Sequence, residues 1–476
     1  MSPPQNENGE ESLSTANKKE KKLTPEICTQ LTQEEERQAV QSLCKLISYP
    51  TVSSTSVSSG AYVECAKYLI SELKSIGGGC LSNVHILEES PSHSPVVMAC
   101  WEGTDPKLPV ILLNSHYDVV PALDEDWTVD PFKGFVQDGK IYGRGAQDMK
   151  CVCVQYMQAI RVLARLGFQP QRSIYLSFVP DEEVGGGGMA AFLESKLYRE
   201  LPGIALALDE GLASETETYS VFYGERLPWW VGVEAYGNTG HGSRFIESTA
   251  VEQLIALANK ALEFRQKQRD LLFGEHKHAG CAHAVAKKKL GDVTTINITT
   301  MQAGVQVGDT YAYNCCPPVA KCSLDIRISP HVEPSEMKDL LNGWCKECSA
   351  PGVRGLSWNF IGGEGNSDSM GHHTTSTDGK VNPWYNVFAN AVTGMGMSLQ
   401  PDVFPAATDS RFLRALGVRA LGFSPMRNSE IMLHENDEYL LESVFLEGIG
   451  VYVDVIRALA SQGKEVDDIT VENNKA

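Results

Sequence analysis

Apolar positions along this chain follow two different periods, and the switch between them divides it. Thr32 with Glu35 three residues later reads as a capping box. Apolar Val40, Leu43, Cys44 and Ile47 then recur at helical spacing. A second helical stripe carries Tyr62, Cys65, Leu69, Leu73 and Ile76 and stops at Gly77. Four continuous apolar runs follow, "PVVMACW", "PVILLNS", "SIYLSFV" and "IALAL", with a long helix predicted over about 149–166 and closed by Gly167. Unbroken apolar strands alternating with amphipathic helices predict an α/β fold, a doubly wound, mostly parallel sheet covered on both faces.

The period changes near residue 226. "KCSLDIRIS" alternates strictly, with Cys322, Leu324, Ile326 and Ile328 on one face and Lys321, Ser323, Asp325, Arg327 and Ser329 on the other. A strand of this kind is half exposed. "WWVGVEAYG" and "TTINITTM" read as further strands, and helices are expected over about 249–267 and 335–347. This segment predicts a smaller α+β domain inserted into the first. "GEHKHAGCAHAVAKKK", with His276, His278 and His283, and the polar stretch 362–380 read as loops. The pattern resumes at "NPWYNVFANAV" and ends in a helix over about 438–460. The expected boundaries are a disordered tail at 1–31, a first catalytic part at 32–225, the insertion at 226–350, a second catalytic part at 351–463, and a tail at 464–476.

Charge narrows the partners. A formal net charge of -19 without a basic stripe argues against nucleic acid. No run approaches the ~18 apolar residues of a membrane span. The first residues lack the apolar core of a secretory signal and make a poor transit peptide; "KKEKK" reads as solvated charge. The 13 cysteines, an odd number in a large chain, suit reduced thiols in a cytoplasmic setting. Cys345 and Cys348 form one isolated CxxC, where a structural zinc needs a second pair; packing is the simpler reading, as it is for Cys151, Cys153, Cys315 and Cys316.

Candidate chemistry sits where the apolar runs stop. "ILLNS" leads to His116 and Asp118, "IYLSFVP" to Asp181, Glu182 and Glu183, and "IALAL" to Asp209 and Glu210, while Asp148 stands at the entry to the long helix. Doubly wound sheets bind ligands beyond the carboxyl ends of their strands, so these clusters should converge. Carboxylates gathered in a cleft need a cation, and His with Asp/Glu suits zinc or a similar divalent ion. So many carboxylates suggest two ions sharing a bridging ligand. "IMLHENDE" offers His434 as a second imidazole.

Together these blocks resemble the di-zinc aminoacylase/carboxypeptidase family of co-catalytic metallohydrolases. The likeness runs from about residue 36 to 462 and rests on "LLNSHYDVVP", "YGRGAQDMKC", "FVPDEEVGG", "ALDEG", "ERLPWWV", "PAATDSR" and "ALGFSPM". It implies a catalytic domain carrying a ferredoxin-like lid and dimerisation domain, a homodimer, and two Zn2+ per subunit. It assigns His116, Asp148 (bridging), Glu183, Asp209 and His434 as metal ligands, Asp118 as the partner of His116, and Glu182 as general base; spacing alone leaves the order of the two glutamates open. The peptide after the bridging Asp is cis in this family. His241 in "GNTGH" resembles a histidine that reaches the partner's active site, with Thr239 where the family usually has Pro. Asn314, Arg327 and Arg411 match substrate-contacting positions, Arg411 as the α-carboxylate anchor; Cys315 and Cys316 stand where aliphatic residues are usual. The implied reaction is hydrolysis of N-acyl-L-amino acids to a carboxylate and a free amino acid, and "ERLPWWV" and "ALGFSPM" favour this over dipeptides or acetylornithine. A non-catalytic scaffold and a thiol redox protein are the rivals from other classes; intact ligand positions and the unremarkable CxxC context oppose them.

Overall fold

The computed structural model describes residues 31–274, 288–361 and 371–467. Within it the apolar runs become neighbours in one eight-stranded sheet, in the spatial order Leu81–Ile86, Val97–Trp101, Ile174–Val179, Val110–His116, Ile204–Asp209, Ala420–Gly422, Thr218–Glu225, Ser398–Phe404. The four central strands run parallel; the set joins its neighbours on both sides by antiparallel pairing, and Ser398–Phe404 runs parallel to Thr218–Glu225 at the far edge. Successive side chains of a strand face opposite ways, and the two faces are separate cores. Ile111, Leu113, Leu206 and Leu208 pack under the helices Gln33–Ile47, Lys150–Arg165 and Glu442–Ala460. Leu112 and Ala207 pack on the other side with Met189, Phe192 and Leu413. Val110–His116 is buried along its whole length, as its unbroken apolar run requires.

Thr32 forms the expected capping box, its hydroxyl accepting from the Glu35 N–H (3.2 Å) while Glu35 accepts from the Thr32 N–H (2.7 Å). The final helix begins at Glu442 rather than near 438, because Tyr439–Leu441 is a strand pairing with Lys140–Tyr142.

The smaller unit is a four-stranded antiparallel sheet in the order Thr295–Ala303, Val319–Ile328, Leu227–Tyr236, Gly355–Phe360. With helices Ala250–Phe273 and Pro334–Cys348 its chain order is βαββαβ, the ferredoxin-like arrangement. Cys322, Leu324, Ile326 and Ile328 are buried as the alternation predicts. Ser329 departs from it: the strand stops at Ile328 and Ser329 is buried, its N–H donating to Thr294. The pairing of Gly355–Phe360 carries this unit to residue 360, past the expected boundary at 350. Cys345 is buried in its core and Cys348 packs against it; every described cysteine is a free thiol. His276, His278 and His283, the tail 1–30, residues 362–370 and 468–476 lie outside the described residues. No described helix is long and apolar enough to cross a membrane.

The expected C-terminal tail is partly anchored. Arg172 is fully buried under the Trp384 ring (4.7 Å) and donates to the carbonyls of Pro109 (3.0 Å) and Gln462 (2.7 Å), to the Gly463 carbonyl, and to Asp467 (2.7 Å). Removing these donors leaves several buried acceptors unpaired. Arg172→Met is therefore expected to lower unfolding stability by roughly 3 kcal/mol and to expose residues 462–467 to proteolysis. A urea titration showing less than about 1 kcal/mol of change would contradict this anchoring role.

Candidate metal centre

Three adjacent parallel strands deliver the centre. Their register places His116 beside Val179 and Leu113 beside Leu208, so the carboxyl ends of Val110–His116, Ile174–Val179 and Ile204–Asp209 finish side by side. Past those ends come Asp118, the turn Asp181–Glu183, and Glu210. Asp148 arrives just before the helix Lys150–Arg165, with its peptide to Met149 in the cis form. His434 arrives from the segment after Ala420–Gly422, held at φ 62, a left-handed conformation that β-carbon-bearing residues seldom adopt.

Asp148 divides this cluster in two. One of its oxygens lies 3.0 Å from His116 Nε2, and the other 3.2 Å from His434 Nε2. His116 Nε2 is also 4.0 Å from Glu210, and His434 Nε2 is 3.3 Å from Glu183. Two groups of ligand atoms result, His116–Asp148–Glu210 and Asp148–Glu183–His434, each within 4.8 Å and sharing Asp148. Glu210, and not the expected Asp209, is the acid grouped with His116 and Asp148. Asp209 lies on the sheet face of Ala207 and Leu112, where its carboxylate accepts from Asn114 Nδ2 (2.9 Å) and Ser410 Oγ (2.7 Å). Asp209 is taken up by these two bonds at the last position of its strand, and Glu210, the first residue past it, is the acid that comes near His116.

Asp118 acts twice. Its carboxylate is 3.3 Å from His116 Nδ1, and its two oxygens accept the backbone N–H groups of Glu182 (3.1 Å) and Glu183 (3.2 Å). It thus orients the imidazole and fixes the glutamate turn on the neighbouring strand. Sequence reasoning missed Glu438. This fully buried carboxylate accepts from the backbone N–H groups of Gly145 (3.0 Å), Gln147 (2.7 Å) and Asp148 (3.3 Å), and pairs with Arg144 (2.9 Å). It pins the loop that carries the bridging position. Asp409, also missed, is fully buried; burial and the nearby charge of Asp209 push its carboxyl up to about 8.

Electrostatics expose what the cluster lacks. Burial pushes the Glu182 and Glu210 carboxyls well above the usual range, and neighbouring carboxylates add to the effect. Although burial opposes it, hydrogen bonds from His116 and His434 hold Asp148 below its usual value. Hydrogen bonds to Asp148 and Glu183 raise His434 to about 10. Glu183 Oε1 is buried and unpartnered. Two imidazoles and Arg411 cannot balance this many carboxylates, whereas divalent cations can. The donor set fits them: His and carboxylates, one orphaned oxygen, and a carboxylate with one oxygen toward each group.

Arg411 borders the cluster, 3.8 Å from Glu182, donating to the carbonyls of Thr408 (3.0 Å) and Gly185 (3.1 Å). His241, Asn314 and Arg327 lie in the smaller unit, and their hydrogen-bond partners are there too. Pairing of Gly240–His241 with Cys315–Cys316 sets Asn314 Nδ2 3.5 Å from His241 Nε2. Arg327 is held by Asp325 through two contacts, 2.8 and 3.0 Å.

A family model described as Peptidase family M20/M25/M40 matches residues 112–458. Aminoacylase-1 of Dictyostelium discoideum is 44% identical over 374 residues, covering 77% of this chain and 86% of that protein. Aminoacylase-1 of Sus scrofa is 41% identical over 402 residues, covering 84% and 91%. A dinuclear metal-binding peptidase of the M20 family from Bacillus subtilis shares the fold, with a TM-score of 0.58 at 14% identity over 90% of this chain and 98% of that one. With the ligand groups around Asp148, these likenesses make the protein a metal-dependent hydrolase. The chain belongs to peptidase family M20/M25/M40, whose aminoacylase-1 members it resembles along most of its length.

Proposed function

We propose that the protein hydrolyses N-acyl-L-amino acids to a carboxylate and a free L-amino acid, using two zinc ions per chain, as a cytoplasmic homodimer. The observation that carries this reading is Asp148, whose two oxygens face two separate His–acid groups. The aminoacylase-1 relatives support the substrate class. Free thiols throughout the described chain support a reducing compartment.

His116, Asp148 and Glu210 would hold one ion, and Asp148, Glu183 and His434 the other. Divalent ions held there would supply Lewis acidity, making a water more acidic and the acyl carbonyl more electrophilic. Glu182 takes the proton of the attacking water and gives it to the leaving amine. Its burial beside Arg411 suits a base that must then act as an acid. Arg411 receives the α-carboxylate, a planar ligand that a guanidinium binds through two contacts. Asp118 keeps His116 in one tautomer and holds the Glu182 backbone in register with it. Asn314 and Arg327 contact substrate as the smaller unit closes. His241 of one subunit donates to the developing oxyanion in the other.

Carefully desalted active protein should carry about two metal equivalents. Glu210→Ala should lower this to about one by mass spectrometry of metals, while Asp209→Asn keeps two; the opposite pattern would return the ligand role to Asp209.

Glu182→Gln should keep its metal while kcat falls roughly 10²-fold or more. Metal loss in that variant would make Glu182 the ligand and Glu183 the base.

His241→Ala and Glu182→Ala should each be nearly inactive alone. Subunit exchange should restore activity, because a mixed dimer has one site with both groups. Random exchange makes about half the dimers mixed, so recovery should approach roughly a quarter of the wild-type rate per site. Mixed dimers verified by mass but inactive would refute the shared site.

A further inference from the structure

Beneath the metal centre one amide ties together three segments that the reaction uses separately. Asn114 lies on Val110–His116, two residues before His116, and is fully buried. Its Nδ2 donates to Asp209 Oδ1 (2.9 Å) and reaches Asp409 Oδ2 (3.4 Å), and its Oδ1 accepts from Ser177 Oγ (2.6 Å). Ser410 Oγ closes the ring onto Asp209 Oδ2 (2.7 Å). Every member is buried: Ser177, Asp409 and Ser410 are fully inaccessible and Asp209 is 1% exposed. Asp209 immediately precedes Glu210, and Asp409 and Ser410 immediately precede Arg411. The network therefore spans from a metal ligand to the proposed carboxylate anchor.

We infer that Asn114 is a positioning residue, the strut that fixes the distance between the metal centre and Arg411 and so makes the enzyme demand an α-carboxylate on its substrate. The inference rests on the role of Arg411 proposed above. Two buried acids placed side by side need a donor between them; the Asn114 amide reaches both, the Ser410 hydroxyl adds a second bond to Asp209, and Asp409 Oδ1 is left buried without a hydrogen bond. Without the amide, Asp409 separates from Asp209. The short helix Ser410–Ala415 that it starts then shifts, and Arg411 moves relative to Glu210. The Asn114 amide is spent on Asp209, Asp409 and Ser177, so it acts on where the substrate's carboxylate sits and not on proton transfer.

The test compares N-acetyl-L-methionine with its carboxamide, which lacks the charged carboxylate, in the zinc-loaded full-length protein. Wild type should prefer the acid strongly. Asn114→Ala should keep its metal content, raise KM for the acid, and shrink the acid-to-amide ratio of kcat/KM by roughly tenfold or more, since misplacement by about 1 Å is enough for such a loss. Ser410→Ala, a milder change that removes one bond of the ring, should shift the same ratio in the same direction. Equal losses on acid and amide, or an unchanged ratio with normal activity, would overturn the strut. Arg411→Ala separates the two readings: if it leaves the ratio at the wild-type value, the anchor role itself fails and the strut with it. If Arg411→Ala collapses the ratio but neither Asn114→Ala nor Ser410→Ala moves it, only the strut fails.

Discussion

Like charge held out of water is the constraint on which this structure turns. Asp118, Asp148, Glu183, Asp209, Glu210 and Glu438 gather in and beneath the centre, all buried or nearly so. Taking such groups from water is unfavourable unless each finds a partner. Two kinds of partner divide them. Asp118, Asp209 and Glu438 are satisfied by the protein itself, through backbone N–H groups, the Asn114 amide, the Ser410 hydroxyl and Arg144. Asp148, Glu183 and Glu210 face one another and two imidazoles, which leaves the cluster short of positive charge. The fold thus sorts its carboxylates into those that hold the scaffold and those reserved for cations.

The scaffold carboxylates explain how a cluster of mutual repulsion stays in place. Glu438 fixes the loop before Asp148, and Asp118 fixes the turn that presents Glu182 and Glu183. Each reaches across from another segment of chain, so the ligands are positioned by contacts distant in sequence. This is the outer support that a metal site requires if its ligands are to keep their orientation. The same arrangement places Glu182 beside Arg411, so that the proton-handling group and the carboxylate anchor are fixed together.

Much of this was legible because strand ends are legible. Unbroken apolar runs announced buried parallel strands, and polar residues immediately after them announced the site. Period-2 alternation in 321–328 marked the smaller sheet. What the pattern could not decide was direction. It brought Asp209 and Glu210 together after one strand, and the resemblance named Asp209 as the ligand, whereas Glu210 is the acid grouped with His116 and Asp148. Glu438 was hidden for a different reason: in "HENDE" it looks like Glu435 and Asp437, and only the fold buries it while Glu435 stays exposed. Strand Gly355–Phe360 lies past the expected boundary at 350, and the βαββαβ order needs it beside Leu227–Tyr236.

Anomalous X-ray diffraction from crystals of the zinc-loaded protein tests the central claim most directly. Two peaks should appear, one bonded to His116 and Glu210, the other to Glu183 and His434, with one Asp148 oxygen on each and Asp209 still paired with Asn114. A single peak, or a peak bonded to Asp209, would contradict the division of carboxylates on which this account rests.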